Sequence, residues 1–254
     1  MRPKPKHTIG ADVIAWIEGL CVHGPGDILG QPVNLTAEEK RFLLWAYEVD
    51  GDGKRLVRRG VRGLAKGSRK TEFAAWVALA EMAGPVRFSH WDEDGKARGR
   101  AVVDPYVVCG AASYEQADLL FTAARACIEE GPLKDFFNTF DNEIQMCDQA
   151  GVLKRVPAVA GTNDGLRPTF VVADEVHEWT GNKARVHLVL ENGLAKREGA
   201  WSLSITTAGN PKQESVGLTL YEYGKRVESG EIDDPGMLFS WREPEVNVDS
   251  LQDA

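Results

Sequence analysis

Four consecutive apolar residues, Phe170, Val171, Val172 and Ala173, run directly into two adjacent carboxylates, Asp174 and Glu175. A short apolar run without polar alternation predicts a strand buried on both faces, and such strands belong to parallel sheets covered by helices. The acidic pair then falls at the carboxyl end of that strand, the side on which open α/β sheets bind ligands. The chain repeats the pattern. Residues 105–112 form another apolar run of strand length, followed by Ala117, Leu120, Phe121, Ala124 and Ile128 at helical spacing. Residues 201–207 read as a strand that ends in Ala208, Gly209, Asn210 and Pro211. Residues 55–63 read as a strand entering a glycine-containing loop, and residues 70–82 as a helix carrying Phe73, Ala74, Val77, Ala78 and Glu81. Strands alternating with helices predict an α/β fold of three layers around a mostly parallel central sheet.

Composition agrees with a folded globular chain and excludes a disordered tail, a collagen-like fibre or a disulfide-stapled miniprotein: 43% of the 254 residues are apolar and 27% charged. Cys21, Cys109, Cys127 and Cys147 show no C-x-x-C spacing, which argues against a zinc site and fits a reducing compartment. The sequence has no apolar run long enough to span a membrane. Residues 1–6 are basic but lack the apolar core of a secretory signal. A net charge of −8 argues against a generally basic, DNA-coating surface and leaves room for a local basic patch or a pore in an assembly. Residues 14–20 predict a short helix, and Thr36 with Glu39 forms a capping box before Phe42, Leu43, Trp45, Ala46 and Val49. Residues 85–90 read as a short strand, 92–96 as the turn of a surface hairpin, and 136–159 as mixed structure.

The chemistry concentrates in two separated elements. Residues 63–71, between a strand and a helix, contain Lys66, Gly67, Ser68, Arg69, Lys70 and Thr71. A phosphate-binding loop needs inward-pointing backbone amides, a lysine for the β- and γ-phosphates and a hydroxyl for Mg2+; Lys70 and Thr71 supply the last two. The usual pattern has glycine where Leu64 and Arg69 stand. A side chain at 69 costs little if φ is negative and crowds the nucleotide if φ is positive. The second element is the strand ending in Asp174 and Glu175, which has the form of a Walker B strand: the aspartate orients the magnesium shell and the glutamate polarises the attacking water. Lys70 and Asp174 lie 104 residues apart, room for two intervening strand–helix units. The arrangement predicts the division of P-loop NTPases (ASCE, RecA-like) that carry a catalytic glutamate beside the Walker B aspartate.

Residues 171–179 (VVADEVHEW), 206–211 (TTAGNP), 111–117 (AASYEQA) and the loop 66–71 together resemble tailed-bacteriophage terminase large subunits, the DNA-packaging motors, over residues 30–245. The resemblance implies a Walker B segment, a coupling motif, a strand–helix junction and a variant Walker A loop at those places. It further implies an ATP hydrolase, with ATP and Mg2+ as cofactors, that drives double-stranded DNA into a procapsid. Glu175 and Lys70 are the expected catalytic residues, Thr71 and Asp174 the metal ligands, and Lys66, Gly67, Ser68, Arg69, Lys70, Thr71, Thr206, Thr207 and Asn210 the nucleotide contacts. The implied partners are DNA, the portal protein, the small terminase subunit and other copies of the chain in a ring, pentameric in the better-known motors, at the procapsid portal vertex in the host cytoplasm, without a membrane. An arginine acting on a neighbour's nucleotide is expected between the two motifs, where Arg125, Arg155 and Arg167 stand; Arg125 is the candidate. Residues 36–245 are expected to form the ATPase domain, 1–35 an arm with a short helix, and 246–254 the start of a linker to a nuclease domain that this chain is too short to include. Two alternatives stay open: a nucleotide-binding or structural module whose phosphate loop has decayed, and a helicase-related P-loop ATPase.

Other features read differently. Asp50-Gly51-Asp52-Gly53 begins like a calcium loop but has Lys54 at the fifth position and no glutamate at the twelfth, so it reads as a turn. His177 and Glu178 lack the spacing of a metal site and read as polar loop residues near the active site. Arg55, Arg58, Arg59 and Arg62 read as a solvated face, with contact to DNA as the alternative.

Overall fold

The computed structural model describes residues 2–157, 165–210 and 212–242, without the side chains of residues 114–117 and 157. Among these lie helices α1 (Gly10–Leu20), α2 (Ala37–Ala46), α3 (Lys70–Ala83), α4 (Tyr114–Glu129), α5 (Asn182–Leu194) and α6 (Val216–Glu228). The strands are β1 (Arg59–Gly63), β2 (Arg87–Trp91), β3 (Ala97–Arg100), β4 (Tyr106–Ala111), β5 (Phe137–Thr139), β6 (Glu143–Met146), β7 (Val152–Pro157), β8 (Phe170–Asp174), β9 (Trp201–Thr206) and β10 (Met237–Trp241).

Eight strands form one sheet in the order β10-β1-β9-β8-β4-β7-β6-β5. The pairings from β10 to β7 are all parallel. β6 and β5 then extend the sheet in antiparallel fashion. The segment read as mixed from sequence is this short edge, and residues 158–159 of it lie outside the described residues. The strands ending near Gly63, Thr206, Asp174 and Ala111 lie side by side, as expected for the α/β P-loop architecture.

Period-two alternation along β8 separates two cores. Phe170 and Val172 pack with Trp76, Leu79, Phe121 and Ile17, on the face carrying α1 to α4. Val171 and Ala173 pack with Trp179, Val186, Leu190 and Leu194, on the face carrying α5. The sheet is thus sandwiched between helical layers, which is why its central strands carry no polar alternation.

Helix α2 starts with the expected reciprocal cap. The Thr36 hydroxyl accepts from the Glu39 amide at 3.2 Å, and Glu39 accepts from the Thr36 amide at 2.8 Å. β2 and β3 make the expected hairpin, with Asp92 accepting from the Asp94 and Lys96 amides in its turn. The strand expected from residue 55 begins only at Arg59. Arg55 instead turns inward: its guanidinium lies 4.6 Å from the Tyr47 ring centre and 4.9 Å from that of Trp201. Arg62 is buried as well, over the Phe73 ring. The basic run is therefore not a uniformly solvated face. Alternation on a buried strand sends Arg62 into the core, and the carboxylate of Glu81 holds Arg55.

Glu81 sits fully buried on α3. One of its oxygens accepts from the Trp201 indole at 2.7 Å and the Tyr47 hydroxyl at 2.9 Å, and the other accepts from Arg87 at 2.9 Å. Arg55 approaches to 3.7 Å. A carboxylate this deep persists only because both of its oxygens are hydrogen-bonded. It pins α3 to β9 and to the end of α2. Removing it strands two guanidinium groups and two neutral donors in the core. Glu81→Ala should cost about 3–5 kcal/mol of unfolding free energy, the usual penalty for deleting one partner of a buried charged network. Urea denaturation measures it, and a loss below about 1 kcal/mol would contradict this role.

Candidate functional site

The loop between β1 and α3 leaves the sheet at Gly63, whose register partner on β9 is Thr206. The Leu64 amide donates to the Thr206 carbonyl at 3.0 Å, so the loop starts anchored to the end of β9. Lys66 and Gly67 are exposed. Gly67 and Arg69 both have positive φ, 82° and 57°. The departure noted at position 69 is therefore real: a bulky residue occupies the left-handed region, at a cost of about 1 kcal/mol or more. Its side chain does not lie across the loop. It folds back toward α2 and α3, 3.6 Å from Glu39 and over the Trp76 ring. The Ser68 hydroxyl is buried inside the loop without a partner. α3 starts immediately afterwards, so the unpaired amides of its first turn and its positive dipole end face the same space.

β8 brings the carboxylates to that space. Thr71 donates to Asp174 at 3.2 Å, and the Lys70 ammonium lies 3.0 Å from Glu175. Lys70 and Asp174 are both buried. The second Asp174 oxygen is buried with no hydrogen-bond partner. An orphaned carboxylate oxygen beside a threonine hydroxyl is the donor set that a hard cation such as magnesium takes, so these two residues fit the ion. Burial, and then the neighbouring Glu175 charge, push the Asp174 carboxyl up to about 7. Glu175 behaves oppositely. Burial alone would raise it, but hydrogen bonds from His177 and Lys70, the Lys70 charge and the Thr207 amide bring it down to about 2. Adjacent carboxyls with divergent affinities for protons mark a site where charge is being managed.

Glu175 also adopts the left-handed conformation, with φ 48° and ψ 53°. This turns the chain sharply after β8 and sets its carboxylate against β9. The Thr207 amide donates to it at 3.1 Å, and His177 Nδ1 lies 3.1 Å away. His177 Nδ1 is also 2.9 Å from the Thr206 hydroxyl. Thr206 is buried and Thr207 half-buried, whereas Asn210 is exposed, its side-chain oxygen accepting from the Lys212 amide at 2.9 Å. Pro211 lies outside the described residues.

The expected residues Lys70, Thr71, Asp174, Glu175 and Thr207 thus meet within hydrogen-bond range. The arginines between the two motifs do not join them. Arg125 donates to the Phe140 carbonyl and lies over Phe121, Arg155 binds Asp118 and Asn142, and Arg167 is exposed. In the Asp50 turn, one carboxylate oxygen accepts from the Asp52 and Lys54 amides, both at 2.9 Å. Among the described residues, no group of three or more metal-ligating side chains gathers. His177, read from the sequence as a polar loop residue near the active site, contacts the Glu175 carboxylate directly. Its only signal is its position two residues after Glu175, on a turn whose backbone tolerance the spacing does not reveal.

Residues 101–226 match the family "Terminase large subunit, ATPase domain"; the loop 64–71 lies outside that match. The chain is similar to the Gene 13 protein of Mycobacterium phage D29, with 30% identity over 93% of this chain and 44% of that protein. It is also similar to the terminase large subunit of Enterobacteria phage HK97, with 27% identity over 68% of this chain and 32% of that protein. The chain thus spans less than half the length of these relatives. The crystal structure of the HK97 large terminase shares the fold, with a TM-score of 0.73 at 24% identity, over 94% of this chain and 45% of that one.

The raised Asp174 carboxyl has a consequence for stability. Well below pH 4 the group is protonated in the folded and unfolded chain alike. Between about 4 and 7 the unfolded chain releases this proton first, so the folded state loses stability as pH rises. Asp174→Asn removes that loss. The variant should equal the parent near pH 4 and exceed it by about 1–3 kcal/mol at pH 8 without magnesium. Denaturation at the two pH values tests this; a variant less stable at pH 8 would contradict it.

Proposed function

We propose that this chain, which carries a terminase large-subunit ATPase domain, hydrolyses ATP in the crevice between the β1–α3 loop and the end of β8 to drive double-stranded DNA into a viral procapsid. The observation that carries the reading is the meeting, across more than a hundred residues of chain, of Lys70 with Glu175 and of Thr71 with Asp174. Those four groups are the chemistry that phosphoryl transfer to water requires.

Each has a distinct task. Backbone amides from Lys66 to Arg69, with the Ser68 hydroxyl, cradle the phosphates at the positive end of α3. Lys70 exchanges Glu175 for the β- and γ-phosphates. Thr71 and Asp174 hold magnesium, which when bound offsets the charge on the phosphate oxygens. Glu175, released by Lys70, orients the attacking water and accepts its proton. Thr206, Thr207 and Asn210, at the end of the adjacent strand, lie where the γ-phosphate leaves and pass its loss to the following loop. Arg125 is the candidate for action on a neighbour's nucleotide, which requires that it leave Phe140.

The partners follow from the same reading: DNA, a ring of identical chains taken as a pentamer, the portal protein and the small terminase subunit, at the procapsid vertex in the host cytoplasm. Among the described residues no helix is long and apolar enough to cross a membrane.

Glu175→Gln should leave ATP binding near that of the parent and cut turnover by about 100-fold or more, the size of a lost acid–base group. Lys70→Ala should instead weaken triphosphate binding itself, by removing a charge-assisted contact. Equilibrium binding and turnover of both variants separate the roles; undiminished turnover in Glu175→Gln would overturn the assignment. An arginine supplied by a neighbour is worth about 10³–10⁵ in rate where one is used. Turnover per chain should therefore rise with protein concentration. A fast, concentration-independent rate from a demonstrated monomer would exclude a shared site.

A further inference from the structure

His177 stands on a single 3-10 turn, Val176–Glu178, directly after the catalytic glutamate. Its imidazole is fully engaged. Nδ1 faces the Glu175 carboxylate at 3.1 Å and the Thr206 hydroxyl at 2.9 Å, and Nε2 faces the Glu178 carboxylate at 3.1 Å. The direction of each bond follows from its neighbours. The Thr206 hydroxyl donates to the Thr207 carbonyl at 2.9 Å, so it accepts from the ring and also from the His177 amide at 3.3 Å. Nδ1 therefore carries a proton. Nε2 opposite a carboxylate is favourable only if it carries one too. The geometry is that of an imidazolium bridging two carboxylates.

The backbone holds this turn from the other side. A Cβ on Gly217, at the start of α6, would stand 2.8 Å from the His177 backbone, and one on Gly209 would stand 2.7 Å from the His177 Cβ. The Val216 amide donates to the Trp179 carbonyl at 3.0 Å, and the Trp179 indole returns to the Asp174 carbonyl at 2.9 Å. One histidine thus touches the catalytic carboxylate, the end of β9, the loop after it and the start of α6.

We propose that His177 is a positioning residue: as a cation it holds Glu175 aimed and ionised once Lys70 has moved to the phosphates, and it ties that carboxylate to Thr206 and the 207–210 loop. The proposal rests on the reading of Glu175 as the water-orienting group. Glu175 has two cations, Lys70 on one oxygen and His177 on the other. After Lys70 leaves, His177 is the cation that remains. The charged groups facing it are Glu175 and Glu178, which favour its protonated form, and Lys70, which opposes it. Departure of Lys70 thus strengthens the bridge at the moment the water must be held.

The test uses His177→Gln, which keeps a donor toward Glu175 without the charge, and His177→Ala, which keeps neither. Both should retain the parent's KM for ATP. kcat should fall about 10–100-fold in His177→Ala, the loss seen when a group that orients a reacting residue is removed, and less in His177→Gln. The parent should lose kcat as pH rises past the ordinary imidazole range, and His177→Gln should lack that limb. Nuclear magnetic resonance of the ring, assigned by its disappearance in His177→Gln, should show both nitrogens protonated at neutral pH in the parent. The ring's pKa should drop in Glu175→Gln. An unchanged kcat and pH profile in both variants, or a neutral ring in the parent, overturns the proposal. A general loss of thermal stability with no change in the pH profile assigns a structural role and overturns it as well. Undiminished turnover in Glu175→Gln would instead mark failure of the underlying assignment, so the two failures are told apart.

Discussion

Parallel pairing in register is the constraint from which the site follows. Gly63 stands opposite Thr206, Ile205 opposite Asp174, and Asp174 opposite Ala111. Four strands drawn from distant parts of the chain therefore end at one level, and whatever follows each of them enters the same crevice. Parallel strands require crossovers, and the crossovers supply the helices that bury both faces. The phosphate-type loop, the acidic pair and the threonine-rich segment are neighbours for no other reason than this alignment.

Several departures from local rules gather at that edge. Arg69 and Glu175 sit in left-handed backbone without being glycine, Asp174 is buried with one oxygen unpaired, and the Ser68 hydroxyl has no partner. Each costs stability, and the deep packing around β8, β9 and α3 offsets it. The cost falls where a charged, oxygen-rich ligand would remove it: an anion for the loop, a hard cation for Asp174. Lys70 meanwhile neutralises Glu175. Lys70 and Glu175 thus compensate each other's charge across the crevice. A concentration of local inconsistencies at one place in a fold is the expected signature of a working site.

The parts legible in the sequence were those with one dominant physical signal. β8, β4 and β9 announce themselves as apolar runs, the α2 cap as a threonine–glutamate pair, and the metal-type residues as polar groups at strand or helix ends. Less visible were elements whose signal is thin. α5 buries Val186, Leu190 and Leu194, a single stripe at four-residue spacing among polar residues. β5 and β6 are short and partly exposed at the sheet edge, where alternation is weak. Arg55 and Arg62 misled because charge in a sequence suggests water. Arg55 is buried against Tyr47, Glu81 and Trp201, and Arg62 against Phe42 and Phe73, partners brought together by the fold and not by adjacency in the chain. The role of His177 is equally nonlocal, since it is set by Thr206 on another strand and by two close-approaching glycines beyond it.

The central claim is that one crevice takes the nucleotide and that Lys70 changes partner when it does. An experimental structure of this chain with magnesium and a non-hydrolysable ATP analogue tests it most directly. The account predicts phosphates against the amides of residues 66–71, the ion between Thr71 and Asp174, and Lys70 withdrawn from Glu175 onto the phosphates. Nucleotide bound elsewhere, with the Lys70–Glu175 pair intact, would contradict it.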